Sequence, residues 1–178
     1  MDPARAILAQ RARALARRKE TAPAGEELIV VGFTVGDAAF CIEALYVREI
    51  VRLRHVANVP GAPVAVRGVT TYSGEILALI DVRAALGLPD GGLRDLLWVV
   101  VVGTRAAEFG LLADSVTGVT AIRVDQLQRL AQGSSVTALR LARTVTPQAA
   151  VVLDGAALLS DTELFAGHES ASAVDVGG

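Results

Sequence analysis

The sequence has few of the residues on which catalytic, metal-binding and disulfide-bonded proteins depend. Its 178 residues include one cysteine, Cys41, and two histidines, His55 and His168. A single cysteine cannot form a disulfide within the chain, which fits a reducing compartment. Neither histidine stands at metal-ligand spacing from a cysteine or from the other histidine, so we predict no metal site. Cys41 lies in the apolar run AAFCI and is interpreted as a small buried hydrophobic residue.

Aromatic residues and long apolar runs are also scarce. Aromatic residues make up 4% of the chain, whereas proteins that bind single-stranded nucleic acids usually stack the bases on aromatic side chains. The longest apolar run covers residues 96–102, and a membrane span needs about 20 residues. Arginines interrupt the N-terminal apolar residues, which argues against a signal peptide. We therefore expect a cytoplasmic protein with no nucleic-acid partner and no direct membrane insertion.

The charges are unevenly distributed along the chain. The net charge is −2, but residues 1–19 contain six basic residues and one acidic residue, so residues 20–178 carry −7. An acidic surface argues against duplex DNA as the main partner. Residues 2–20 have helical periodicity behind Asp2 and Pro3, which suit the start of a helix. Residues 1–26 are therefore predicted to form a basic helical extension and a linker.

From Leu28 onward, apolar residues alternate with polar ones or form short runs between turn residues, which is typical of β-strands. Hairpins are predicted for LIVVGFTV with AAFCI and for AVRGVTTY with EILALI, and EFGLLADSV is predicted to pair with GVTAIRV. EILALI is expected to be buried on both faces. The count is about nine or ten strands with few, short helices, so the fold class is mostly β, most economically two small barrels. No internal repeat is evident.

Asp81 stands between the strand EILALI and the segment VRAAL. Its carboxylate can accept hydrogen bonds from the free N–H groups of a first helical turn. Gly87 supplies a helix end, and Pro89 confirms it. Arg83 can pair locally with an acid. We therefore predict structural roles for Asp81, Arg83 and Gly87. A turn is predicted at Asp154-Gly155, and the residues AALLSDTELF that follow it are predicted to be helical.

No catalytic constellation is present in the sequence. A Ser-His-Asp arrangement would have to use one of the two histidines without a nucleophile-elbow motif, and no glycine-rich phosphate loop joins a strand to a helix. Asp114 and Ser115 in LLADSV are interpreted as a strand end with a turn-forming aspartate. We predict no enzyme activity, no catalytic residues and no cofactor. Small barrels with exposed strand edges are typical of a protein-interaction surface.

Several motifs, taken in order, resemble the CheW family of coupling proteins in bacterial chemosensory arrays. They are FTVGDAAFCI, VREIVR, NVPGAPVAVRGV, SGEILALIDVRAALGL, FGLLADSVTGV and VVLDGAALL, and they extend over about residues 27–166. The resemblance implies a CheW-like domain at residues 27–167, built from two five-stranded, SH3-like β-barrel subdomains. Residues 168–178 are expected to be a disordered tail.

The resemblance also implies a function. CheW-like proteins do no chemistry and serve as scaffolds. Their partners are the cytoplasmic tip of methyl-accepting chemoreceptors and the regulatory domain of a CheA-type histidine kinase. We expect this chain to have the same two partners and to be recruited to membrane-associated receptor arrays.

Positions that match the family's motifs imply a partner-binding face. The V-x-E-I strand corresponds to VREI, the N-L-R-G motif to residues 71–74, and the D-L-R motif to Asp81 and Arg83. The implied partner-binding residues are Val47, Glu49, Arg67, Gly68, Thr71, Ser73 and Gly74. Plainer interpretations stay open: Val47 as core, Glu49 and Arg67 as solvated charges, and the two glycines as turn residues, Gly74 with positive φ.

The chain departs from the family at Ser73, where the N-L-R-G motif has arginine. An arginine can form a bidentate pair with a partner's carboxylate, whereas a serine cannot. We therefore expect a divergent coupling protein of a specialised pathway. Two alternatives stay open. One is a CheW-like adaptor that has lost receptor and kinase coupling and binds another protein. The other is a general β-barrel binding module unrelated to chemotaxis, such as a peptide- or ligand-binding adaptor.

Overall fold

The computed structural model describes residues 25–89, 96–130 and 136–165. The strands are β1 Glu27–Val35, β2 Ala38–Glu43, β3 Val47–Arg52, β4 Val66–Tyr72, β5 Glu75–Ile80, β6 Trp98–Val102, β7 Phe109–Ala113, β8 Ser115–Arg123, β9 Gln128–Arg129, β10 Ala142–Val145 and β11 Val151–Leu153. The helices are α1 Val82–Ala85, α2 Val136–Leu141 and α3 Gly155–Ser160, with short 3-10 turns between elements. The predicted mostly β class is confirmed. The predicted N-terminal helix and C-terminal tail lie outside the described residues.

The strands form two sheets. In sheet A the order is β8-β1-β2-β11-β10-β9, and in sheet B it is β3-β6-β7-β5-β4. Sheet A has a sixth strand because the two-residue β9 pairs with β10. The predicted pairing of EFGLLADSV with GVTAIRV is wrong. β7 pairs with β5 and β6 in sheet B, while β8 pairs with β1 in sheet A. Asp114, which separates the two strands, is where the chain passes from one sheet to the other.

The two sheets have the same order of connections. A hairpin, β6–β7 in sheet B and β1–β2 in sheet A, lies between a single strand and a second hairpin. The second hairpin joins the first through a parallel pair, β5 with β7 or β11 with β2. A helix capped by an aspartate follows each second hairpin. The chain therefore contains two repeats of the same order of strands, one from β1 to β5 and the other from β6 to β11. The first hairpin of each repeat lies in the same sheet as the second hairpin of the other repeat. No repeat was evident in the sequence.

Buried apolar side chains form one shared core and two smaller ones. The shared core contains Phe33 and Phe40 from sheet A together with Phe109 and Leu111 from sheet B, so it holds the sheets together. Burying a side chain of this size contributes roughly 1.5–3 kcal/mol. Each sheet also encloses a smaller core, one around Leu79 and Val101 and the other around Cys41. The interpretation of Cys41 as a buried apolar residue is confirmed.

Strand β5 separates two of these cores. Leu77 and Leu79 point into the core of sheet B, while Ala78 and Ile80 contact the shared core. The expected burial of both faces is therefore correct for these residues and wrong for Ile76, which is 80% exposed beside the β4–β5 turn. No helix in the described parts of the chain is long and apolar enough to cross a membrane.

Both helices that follow a second hairpin begin at a capping aspartate. Asp154 accepts a hydrogen bond from the backbone N–H of Ala157, and α3 already starts at Gly155. The predicted turn at Asp154 is thus the N-cap of the helix rather than a separate element. Asp81 caps α1 as predicted, by accepting from the N–H of Arg83 at 3.0 Å. A short aspartate side chain can satisfy N–H groups that the first helical turn leaves free.

Candidate partner-binding face

A cleft lies between the two edge strands of sheet B. Among the described residues, β3 pairs with β6 and β4 pairs with β5, but β3 and β4 do not pair with each other. At one end, the hydroxyl of Tyr72 donates to Glu49 Oε2 at 2.6 Å. Near the other end, Ala57 and Val69 exchange two backbone hydrogen bonds of 2.8 and 2.9 Å. The cleft has a volume of about 810 Å³, and its lining includes Arg52, Arg54, Thr71, Ser73, Leu77 and Trp98.

The structure brings together three of the predicted partner-binding residues in this cleft. Glu49, Thr71 and Ser73 all line it. Arg67 lines a neighbouring groove beneath the loop that connects β3 to β4. Val47 is half-buried and packs against the shared core, which supports its interpretation as a core residue. The predicted face is therefore continuous over β3 and the β4–β5 turn, with Val47 at its buried margin.

The β4–β5 turn is held in a left-handed conformation. Ser73 has φ 50° and Gly74 has φ 84°, which is the positive value predicted for Gly74. A side chain is rare at such φ unless the surrounding strands impose it. Gly68 has a different role, because a Cβ there would lie 2.5 Å from the carbonyl oxygen of Ala57. Both glycines thus shape the face, and neither needs to contact a partner to explain its presence.

Arg67 is close to the helix cap without being fixed by it. Asp81 is 1% exposed, and its Oδ2 lies 4.0 Å from Nε of Arg67. The Arg67 side chain is 50% exposed. Because the distance is long and one partner is solvated, we expect this ion pair to contribute little to stability. Gly87 ends the α1 segment with φ 67°, as predicted. Arg67 is therefore available to a second carboxylate.

Arg83 has a structural role that joins the two sheets. Its guanidinium donates to the carbonyls of Val35 and Pro89 at 3.0–3.3 Å and to Asp37 Oδ1 at 2.5 Å. The hydrogen bond from Arg83 holds the pKa of Asp37 below its ordinary value. The predicted local pairing is wrong, because the acid that Arg83 contacts lies 46 residues away in the β1–β2 turn. The buried guanidinium therefore connects α1 to sheet A.

Electrostatics distinguish this face from the rest of the molecule. Residues 44–74 contain four arginines and one acidic residue, Glu49, so this segment carries +3 within an acidic body. Arg48 donates to the carbonyl of Thr104 at 3.0 Å, and the guanidinium carbon of Arg52 lies 4.8 Å from the ring centroid of Trp98. The sequence analysis did not select Arg52, Arg54 or Trp98. The signal was the segment VRLR, where two arginines alternate with apolar residues at the end of a strand.

Tyr72 and Glu49 form a bridge between the two edge strands. The hydrogen bond to Glu49 is the main cause of the raised pKa of the Tyr72 phenol, and burial adds to it. The phenol therefore stays protonated at neutral pH and donates to the carboxylate. Glu49 thus has a partner within the chain, and a protein that recruits its carboxylate must compete with Tyr72 for it.

The described residues offer little for chemistry. Within residues 25–89, 96–130 and 136–165, no three or more His, Cys, Asp and Glu side chains are grouped as metal ligands. Burial raises the pKa of the Cys41 thiol to about 11. A thiol is a poor nucleophile when it is protonated, so Cys41 is inert at neutral pH.

Comparisons with known proteins agree with this architecture. The family model of the CheW-like domain matches residues 30–163. The probable chemotaxis protein CheW of Rhizobium etli is 27% identical over 137 residues, which cover 75% of this chain and 88% of that protein. The chemotaxis protein CheW of Rhizobium meliloti is 32% identical over 104 residues, which cover 58% of this chain and 66% of that protein. The crystal structure of the scaffolding protein TtCheW from Thermoanaerobacter tengcongensis has a similar fold, with a TM-score of 0.61 and 16% identity over 72% of this chain and 90% of that chain.

Proposed function

The chain belongs to the CheW-like domain family, and on that premise we propose that it is a non-catalytic coupling protein. It links the cytoplasmic tips of chemoreceptors to the regulatory domain of a CheA-type histidine kinase in a chemosensory array. The observation that carries this proposal is the family match over residues 30–163, which takes in strands of both sheets. The protein acts in the cytoplasm and is recruited to arrays at the membrane.

Coupling without chemistry requires contacts that differ between two signalling states, because a scaffold transmits only the free-energy difference between its alternative contacts. The face around β3 and the β4–β5 turn supplies groups suited to this task. Glu49 and Arg67 are charged groups at its rim, and Thr71 and Ser73 are short polar ones. Val47, Gly68 and Gly74 give the face its shape.

Ser73 makes this coupling protein a divergent one. Serine cannot form the bidentate pair with a carboxylate that the family's arginine allows. The partners of this chain have therefore adapted to a serine at the turn. Ser73→Arg tests this point: the variant is expected to bind its own kinase domain no better than the wild type, and binding tighter by about tenfold or more would show that the missing arginine is a defect.

The test of the proposed function is a binding assay with two proteins from the same genome. They are the regulatory domain of a CheA-type kinase and a chemoreceptor tip fragment. We expect the wild type to bind both. Glu49→Arg and Arg67→Glu are expected to weaken at least one interaction by about tenfold or more. Arg129→Glu, an exposed charge reversal on sheet A, is the matched control and should bind like the wild type.

A second candidate function is favoured by Ser73. A CheW-like adaptor that has lost receptor and kinase coupling would keep the same fold and bind another protein. In the assay above, this candidate predicts that the folded wild type binds neither partner. Circular dichroism on the same samples distinguishes such a result from simple unfolding.

A further inference from the structure

The cleft between β3 and β4 carries two arginines, Arg52 and Arg54, that form no salt bridge with any of the described residues. We propose that this cleft binds an acidic, extended segment of a partner protein, and that Arg52 and Arg54 recognise its carboxylates. The proposal deepens the proposed function, on which the identity of the partner rests. The chemistry of the segment rests on the cleft alone.

Several arginines outside the cleft form ion pairs with carboxylates of the same chain. Four arginines outside the cleft each have a carboxylate partner at 2.5–2.9 Å. These pairs are Arg83 with Asp37, Arg123 with Asp125, Arg140 with Asp161 and Arg143 with Asp154. Among the described residues, five arginines form no salt bridge: Arg48, Arg52, Arg54, Arg105 and Arg129. Of these five, only Arg52 and Arg54 line the cleft, where they lie two residues apart. Exposed cations that the chain does not neutralise itself attract a partner of opposite charge.

β3 is an edge strand of sheet B. One edge of this strand pairs with β6, and among the described residues the other edge has no strand partner. A peptide that lies along such an edge can use its backbone N–H and C=O groups for affinity and alternate side chains for specificity. Arg52 and Arg54 are two residues apart, so their side chains leave the same side of the extended chain. Carboxylates at alternate positions of an extended segment match this spacing.

Trp98 orients the side chain of Arg52. Its guanidinium lies over Trp98, which it faces across the β3–β6 pair. Stacking on an aromatic ring fixes the plane of a guanidinium and leaves its edge N–H groups free to bond a carboxylate. The cleft therefore presents an oriented donor, and binding costs less side-chain entropy than it would for a freely rotating arginine.

A polyanion such as single-stranded nucleic acid is a poorer fit than an acidic protein segment. The cleft has an aromatic residue at each side, Trp98 and Tyr72, but Glu49 closes one end and would repel a continuous phosphate chain. The acidic charge of the surrounding body acts in the same direction. A short segment with a few carboxylates has a lower charge density than a phosphate chain, so both repulsions are weaker.

Trp98 is the only tryptophan of the chain and lines the cleft, so its fluorescence reports occupancy directly. The full chain is titrated at low ionic strength with an end-capped peptide of about eight alternating valine and glutamate residues. Parallel titrations use the same peptide with lysine in place of glutamate and an oligothymidylate of similar length. We expect saturable quenching or a spectral shift with the acidic peptide, weakened by added salt, and at least about tenfold weaker binding of the lysine peptide.

Matched variants assign the effect to the cleft. Arg54→Glu is expected to weaken binding of the acidic peptide by about tenfold or more, Ser73→Arg to strengthen it severalfold, and Arg129→Glu to leave it unchanged. Equal effects of Arg54→Glu and Arg129→Glu, equal binding of the two peptides, or tighter binding of the oligonucleotide would each overturn the proposal. These titrations contain neither kinase nor receptor. A failure of the coupling function would leave them unaffected, and their failure would leave the binding assay of the previous section standing.

Discussion

The second hairpin of each sheet contains an arginine at the same structural position, and the two arginines are used differently. Arg67 in β4 and Arg143 in β10 both stand where the register of their hairpin shifts by a bulge. Each lies near the aspartate that caps the following helix. Arg143 donates to Asp154 at 2.6 Å and to Glu43 at 3.2 Å, whereas the corresponding distance from Arg67 to Asp81 is 4.0 Å.

Exposure does not separate these two arginines, because both side chains are 50% exposed. Their contacts do. Sheet A uses Arg143 to complete the fold, since it neutralises Glu43, which is buried at the end of β2. Sheet B leaves Arg67 only loosely paired and adds Arg52 and Arg54 nearby. At this equivalent position, sheet A thus has an arginine that stabilises the molecule, whereas we expect the arginine of sheet B to be available to a partner.

The largest expected effect comes from the small cores of the two sheets. Gly110 pairs with Val101 across β6–β7, and Cys41 pairs with Gly32 across β1–β2, so each pair contains one glycine. A Cβ at Gly110 would collide with the side chain of Val99. We expect Gly110→Cys to lower the free energy of unfolding by about 3 kcal/mol, measured by urea denaturation. Cys41→Ala, the matched change in sheet A, should cost about 1 kcal/mol, and the reverse order would contradict the equivalence of the pairs.

The next largest effect is a difference in stability between variants of Arg143 and Arg67, the two arginines at the bulges. Arg143→Ala leaves the Glu43 carboxylate buried without its cation, so the free energy of unfolding should fall by about 2 kcal/mol. Arg67→Ala removes a longer ion pair and leaves the buried Asp81 carboxylate with its hydrogen bond from the N–H of Arg83, so it should cost less than about 0.5 kcal/mol. Thermal or urea unfolding of the two variants measures the difference. Equal losses would show that Arg67 is as much a part of the fold as Arg143.

A smaller effect should appear in how the free energy of unfolding changes at acidic pH. Burial alone would raise the pKa of Asp154, but hydrogen bonds from Arg143 and from the N–H of Ala157 outweigh it and hold the pKa below the ordinary value of 3.8. A lowered folded-state pKa contributes stability above the unfolded-state value, and this contribution is lost as the pH falls through the folded-state pKa. Asp154→Asn and Arg143→Ala should therefore both lose less stability than the wild type on acidification below about pH 4. An unchanged acid limb in both variants would refute this pairing.

The smallest effect concerns the turns of the two second hairpins. Ser73 in the β4–β5 turn and Ala149 in the β10–β11 turn are the two non-glycine residues with positive φ among the described residues, at 50° and 63°. Glycine relieves this conformation but also gains freedom in the unfolded chain. Ser73→Gly and Ala149→Gly should each raise stability by less than about 1 kcal/mol. Destabilisation by either variant would mean that its side chain makes a contact worth more than the strain.

Local features of this fold could be predicted from the sequence, and features that depend on distant segments could not. The cap at Asp81 and the positive φ at Gly74 follow from interactions within a few residues. The pairing of β7 with β8 was predicted wrongly because two strands that are adjacent in sequence often form a hairpin. In the structure the two strands belong to different sheets, which pack against each other through the shared core. The internal repeat escaped notice because its equivalent positions hold different side chains, such as Gly32 and Val101.

The candidate site, too, could be predicted only where it depends on residues close together in the sequence. The motif positions Glu49, Thr71 and Ser73 were selected from the resemblance, and the structure places them around one cleft. Arg54 and Trp98 were missed because they join that cleft only when sheet B curls and brings β3 towards β4. Alternation along one strand signals an exposed face, but it does not reveal which strand lies opposite.

Hydrogen exchange of the full chain, alone and bound to the regulatory domain of the CheA-type kinase from the same genome, tests the central claim most directly. The account predicts that binding slows exchange in residues 47–54 and 66–75 of sheet B. It predicts little change in residues 142–153, the equivalent hairpin of sheet A. Protection confined to sheet A, or equal protection of the two hairpins, would contradict the division of the repeat into a stabilising half and a partner-binding half.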